Sequence, residues 1–182
     1  MRFHFLKYSF QIVFLIIQFL PATSKSQAEF PQSWVGNWKG DLEIFNAKGK
    51  AQTIGMELHI QPLDSLTYTW TIIYKADTIR DERKYFLKIK DASKGRYEID
   101  EENSIILDAY LLGGVLYEQF EVLGSTILTR TEKQGENLVF EILAGKAEPA
   151  NTTGGVTHEG EEIPVVKSFP LTNYQKAVLK KF

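Results

Sequence analysis

From Trp34 to Ala144 the chain alternates apolar and polar residues with a period of two, and turn-forming clusters interrupt it about every ten residues. Successive side chains of an extended strand point to opposite faces, so each segment has one face for a core and one for water. Trp34, Gly36, Trp38, Gly40, Leu42 and Ile44 share one parity; Asn37, Lys39, Asp41 and Glu43 share the other. Asn46-Ala47-Lys48-Gly49-Lys50 then reads as a hairpin turn. Ile54, Met56, Leu58 and Ile60 face inward on the next segment, with Glu57, His59 and Gln61 outward, until Pro62 stops the ladder for want of an N–H.

The pattern continues through Leu66–Tyr74, with Tyr68, Trp70 and Ile72 against threonines, and through Arg83–Asp91, with Tyr85, Leu87 and Ile89 against lysines. Arg96–Asp100, Ile105–Leu112, Val115–Val122, Thr126–Glu132 and Leu138–Ala144 complete nine strands. Gly113-Gly114 and Gly124-Ser125 are among the turn signals between them. No helical segment connects the strands, which argues against a parallel α/β sheet. Short connections favour up-and-down order, and closing such a sheet removes its edges. The expected fold is therefore all-β: an antiparallel up-and-down barrel of about eight to ten strands. After Gly145, residues 146–162 are rich in Pro and Gly and read as a mobile loop. Ile163–Phe169 offers a further strand. Leu171–Phe182 reads as a short C-terminal helix, capped by Thr172 with Gln175 three residues on, and with Tyr174, Val178 and Leu179 as its apolar stripe.

The first 28 residues have the order of a secretory signal: basic Arg2 and Lys7, an apolar stretch from Tyr8 to Ala22, then Ser26-Gln27-Ala28. Gln11 and Gln18 interrupt a run already short for a membrane span. The expectation is a signal peptide over 1–28, cleavage after Ala28, one mature domain over 29–182, and a secreted or periplasmic location without stable membrane insertion. Cleavage removes Arg2, Lys7 and Lys25 and no acid, leaving a net charge of about −5. That balance disfavours nucleic-acid binding. The absence of Cys excludes a disulfide scaffold, thiolate metal sites and a cysteine nucleophile.

Val35-Gly36-Asn37-Trp38-Lys39-Gly40 resembles the Gly-x-Trp signature on the first strand of lipocalins and their relatives in the calycin superfamily. With the signal peptide and the meander, the chain looks like a secreted lipocalin-like bacterial protein over Phe30–Phe182. The resemblance implies that Trp38 closes one end of a barrel beneath a ligand cavity and that Gly36 lets the backbone pass close by. In such proteins a late Arg stacks on the Trp; here Arg130 and the Lys180-Lys181 pair are the late cations, none in an identifiable motif. The turn at Phe45–Gln52 is shorter than the large first loop of lipocalins.

No catalytic constellation is recognisable, so a non-enzymatic role is expected. His59 falls on the polar parity of its strand, and His158 lies in a glycine-rich loop, too far apart in sequence for a metal-ligand pair. No metal and no cofactor is implied. Asp81-Glu82 and Asp100-Glu101-Glu102 read as solvated turns, and Ser125 lacks a nucleophile elbow. Aromatic residues make up 13% of the chain. In a hollow barrel, Trp70, Tyr85 and Phe120 would line a site for a small hydrophobic ligand. Arg130 would orient a ligand carboxylate if Leu128 faces inward, and would face water if Ile127 does. Filled, the same barrel suits an envelope interaction protein. A third reading is an enzyme using carboxylate or tyrosine groups inside the barrel.

Overall fold

The computed structural model describes residues 29–182; the expected signal peptide and its cleavage site after Ala28 lie outside them. Nine strands follow one another as a meander: β1 (Gly36–Asn46), β2 (Gly49–Ile60), β3 (Thr67–Ala76), β4 (Ile79–Asp91), β5 (Arg96–Asp100), β6 (Ile106–Leu112), β7 (Val115–Val122), β8 (Ser125–Gln134) and β9 (Asn137–Lys146). Each pairs antiparallel with the next. An excursion carries two small ladders, β10 (Asn151–Thr153) with β13 (Val166–Ser168) and β11 (Thr157–His158) with β12 (Glu161–Glu162). The chain then returns as β14 (Leu171–Lys181), which pairs with β9 on one side and β1 on the other. The result is a closed, ten-stranded, up-and-down antiparallel barrel.

Two expectations for the tail are corrected. Residues 146–162 are not a bare loop, because β10 to β12 fall within them. Leu171–Phe182 is not a helix. Its Tyr174–Val178 spacing suits a helix, but Gln175, Ala177 and Leu179 also alternate with Lys176, Val178 and Lys180. The edges of β1 and β9 would otherwise be unpaired, and a strand satisfies both ladders where a helix satisfies neither. Ala177 and Leu179 are buried in the core. Thr172 caps nothing; its hydroxyl donates to the Ala144 carbonyl at 3.3 Å.

The period-two reading holds inside the barrel. Trp38, Leu42, Met56, Leu58, Ile60 and Leu87 are buried in one core cluster. One end is stoppered by the segment before β1, where Phe30 and the 3-10 turn Gln32–Trp34 cross the opening. Phe30 packs edge-on against both Trp34 and Tyr97, with centroids 4.5 and 4.9 Å apart. Trp38 donates its indole N–H to the Trp34 carbonyl at 2.9 Å, so this large buried ring leaves no donor orphaned. Gly36 has a φ of 149°, which side-chain-bearing residues rarely adopt, and a Cβ there would strike the Lys181 side chain. Lys181 Nζ donates to the Val35 carbonyl at 2.7 Å and lies 5.5 Å from the Trp38 ring centroid. A lysine from the last strand therefore covers the signature tryptophan, and Arg130 does not.

Candidate functional site

Away from the stopper the barrel is hollow. A cavity of about 510 Å³ opens between the β1–β2, β3–β4 and β7–β8 turns. Its walls are the inward residues of the upper half-strands. Ile72, Phe140 and Ile142 supply apolar surface from β3 and β9, and Leu42, Ile44 and Ile54 from β1 and β2. The residues after Phe140 on β9 shrink to Ala144 towards the rim.

Trp70, Tyr85 and Phe120 all line this cavity. Arg130 does not. Ile127 and Thr129 are the inward residues of β8, which turns Arg130 to the outer face. There it donates to Glu132 and, at 2.6 Å, to Glu141. Burial pulls the Arg130 pKa down, but hydrogen bonds to Tyr117, Glu141 and Glu132 outweigh this, and the net shift is upward. The guanidinium of the cavity is Arg83, on β4. It lies 5.1 Å from the Tyr74 ring centroid and 2.9 Å from Asp81.

Of the two acidic clusters read as turns, Asp100-Glu101-Glu102 is one, since β5 ends at Asp100 and the Glu102 N–H donates to Asp100 Oδ1, whereas Asp81-Glu82 is corrected. Asp81 and Glu82 lie within β4, which starts at Ile79 rather than Arg83, and Asp81 faces the cavity beside Arg83. Glu101, just past β5, also contributes to the lining. Its charge, after burial, helps to raise the pKa of Tyr85. Burial of Tyr74 pushes its phenol up to about 12, so it stays a neutral donor and acceptor.

Sequence reasoning passed over Glu118. It sits on β7 between the inward Leu116 and Phe120, and it is 7% exposed. Across the strand pair, Thr129 donates its hydroxyl to Glu118 Oε2. Oε1 is buried with no hydrogen-bond partner. Burial pushes the carboxyl up to about 7, despite the opposing Thr129 bond. The signal was legible: an acid on the apolar parity of Leu116-x-Glu118-x-Phe120 either pairs in the core or faces a cavity.

The histidines lie elsewhere. His59 is on the outer face, 3.0 Å from Glu57, whose carboxylate also meets Lys75. His158 is exposed on β11. Among the described residues, no group of three or more His, Asp or Glu is placed to hold a metal ion, and no helix is long and apolar enough to cross a membrane.

No protein-family model and no curated protein matches this chain. Its fold is similar to that of an S-type phycobiliprotein lyase, CPES, from Guillardia theta, with a TM-score of 0.55 at 6% identity over 81% of this chain and 88% of that one. The likeness places the barrel among lipocalin-like folds. It also corrects the expectation of a non-enzymatic protein, because the structural neighbour that shares this architecture is itself a lyase.

Proposed function

We propose that this protein binds a small amphipathic molecule in the barrel cavity and does so in the cell envelope or outside the cell. The observation that carries the binding reading is the cavity itself. Its volume of about 510 Å³ lies within the range of small-molecule sites, and its walls are mainly apolar with a few convergent polar groups. Apolar burial at about 25 cal/mol per Å² would supply most of the affinity. The basic, apolar, small-residue order of the first 28 residues supports the location.

Nile red, a neutral apolar dye, tests this reading. Saturable, blue-shifted fluorescence is expected at micromolar concentration. Ala144→Phe, which places a ring in the space that Ala144 borders, is expected to abolish it while the far-ultraviolet spectrum stays that of the wild type. No saturable binding by folded wild-type protein would sink the proposal.

A second reading, in which the cavity also acts chemically on its ligand, is favoured by the likeness to a lyase and by Glu118. A carboxyl poised near neutral pH inside an apolar site can give or take a proton.

A further inference from the structure

The ionisable side chains of the cavity do not balance. Three carboxyl groups, Asp81, Glu101 and Glu118, face one guanidinium, that of Arg83. Asp81 already satisfies Arg83 through two contacts, at 3.0 Å to Nε and 2.9 Å to an Nη. Glu101 stands near Tyr85 at the rim. Glu118 is the deeply buried member, and among the described residues it makes no salt bridge.

The strands around Glu118 offer it nothing positive. On β6 and β8 the inward neighbours are Leu107, Ala109, Ile127 and Thr129, and on β9 and β14 they are Phe140, Ile142 and Gln175. The titratable groups that share its space are Tyr74 on β3, Asp81, Arg83 and Tyr85 on β4, and Glu101 beyond β5. Thr129 occupies one carboxyl oxygen, and the other has no partner. A buried carboxylate in that condition carries an uncompensated desolvation cost. A fatty acid would add a fourth carboxylate and deepen the imbalance. A cation relieves it.

We propose that the cavity selects ligands carrying a basic nitrogen, whose N–H pairs with Glu118 Oε1 while the apolar body lies against Trp70, Ile72 and Phe140. This rests on the reading of the cavity as a small-molecule site and names the chemical class that the site prefers. The bond is charge-assisted and forms where water is scarce, so it discriminates more strongly than a contact at the rim would. The preference depends on pH, because the acceptor must be ionised while the ligand keeps its proton. Raising the pH through about 7 therefore strengthens amine binding until the amine itself begins to lose its charge.

Displacement of bound Nile red by octylamine, octanol and octanoate separates the cases, each concentration being scaled to the dye affinity of the same variant. At about pH 8, octylamine is expected to displace the dye at roughly one tenth of the concentration needed with octanol, and octanoate to be weakest. At about pH 5, the advantage of octylamine over octanol is expected to disappear, because Glu118 is protonated there. Glu118→Gln keeps the side-chain shape, and it is expected to remove the advantage at both pH values. Equal displacement by the three compounds, or an amine preference that persists in Glu118→Gln, overturns the assignment. Failure of Nile red to bind folded protein at all overturns the cavity reading beneath it, and this assignment with it.

Discussion

The two ends of the barrel are built from similar strands and solve opposite problems. At the stoppered end, Phe30, Trp34, Trp38 and Tyr97 pack into one aromatic cluster, and the polar atoms around it have partners. Tyr68 donates to Gln32 at 3.3 Å, Lys133 to the Ser33 carbonyl at 3.0 Å, and Lys181 to the Val35 carbonyl at 2.7 Å. At the open end, space replaces packing, charged groups face inward, and Glu118 keeps a buried oxygen without a partner. A fold stabilised at one end tolerates a cost at the other. Unsatisfied buried polar atoms are rare in native proteins, so the contrast between the two ends calls for a physical reason at the open one.

The largest effect that this contrast predicts lies at the stopper. Trp38→Ala is expected to lower stability by about 3–5 kcal/mol in a denaturant melt, as large-to-small aromatic changes in a core do. Trp34→Ala is expected to fall in the same range. From sequence alone Trp34 looks like the frayed start of a strand and so of lesser weight, but it is 3% exposed and packs on Phe30. A loss of less than about 0.5 kcal/mol for either variant would mean that the stopper does not carry the fold, and the comparison would break.

A middle-sized effect lies at the cavity. An ordinary glutamate titrates near 4.5 and Glu118 near 7. Between those values the folded chain holds a proton that the unfolded chain has released, so stability present at low pH is lost as pH rises through about 7. A shift of that size is worth about 3 kcal/mol across the window. Glu118→Gln cannot titrate. Urea melts at several pH values are expected to show the variant gaining on the wild type by about that amount between the two limits. Parallel stability curves would mean that Glu118 is solvated, and the two ends would then differ in shape alone.

How far these features were legible follows from the range of the interaction behind each one. Alternation is local, so the inward set of β1 to β4, including Trp38, Met56, Trp70 and Leu87, is readable from the chain, and all four are core residues. The last strand is not readable in that way. Tyr174, Val178 and Leu179 satisfy a helical spacing, and only the free edges of β1 and β9, far away in sequence, decide for a strand. The cavity was half visible. Trp70, Tyr85 and Phe120 declare themselves by parity and size, whereas Asp81 looks like a turn residue until the start of β4 is known, and Glu101 lines the cavity from the turn itself. Arg130 depended on which of Ile127 and Leu128 faces inward, a choice that neither propensity nor hydrophobicity makes, because both residues are apolar.

The smallest expected effect belongs to Arg130, and it sharpens the line between inner and outer charge. Arg130 bridges Glu132 and Glu141 on the outer face, and Glu141 also meets Tyr174 and Lys176. Each contact has a neighbour ready to replace part of it, and water reaches the network. Arg130→Ala is therefore expected to cost about 1 kcal/mol or less in a urea melt. The same variant is expected to leave the displacement of Nile red by octylamine and by octanoate unchanged, because its charge stands on the other side of the barrel wall. Arg83→Ala supplies the contrast. It removes the guanidinium that lies over Tyr74 at the rim and frees Asp81, so octanoate should weaken further while octylamine improves. If Arg130→Ala altered the ranking of the charged probes as much as Arg83→Ala does, the field inside the cavity would be set by the whole shell and not by the side chains that face it.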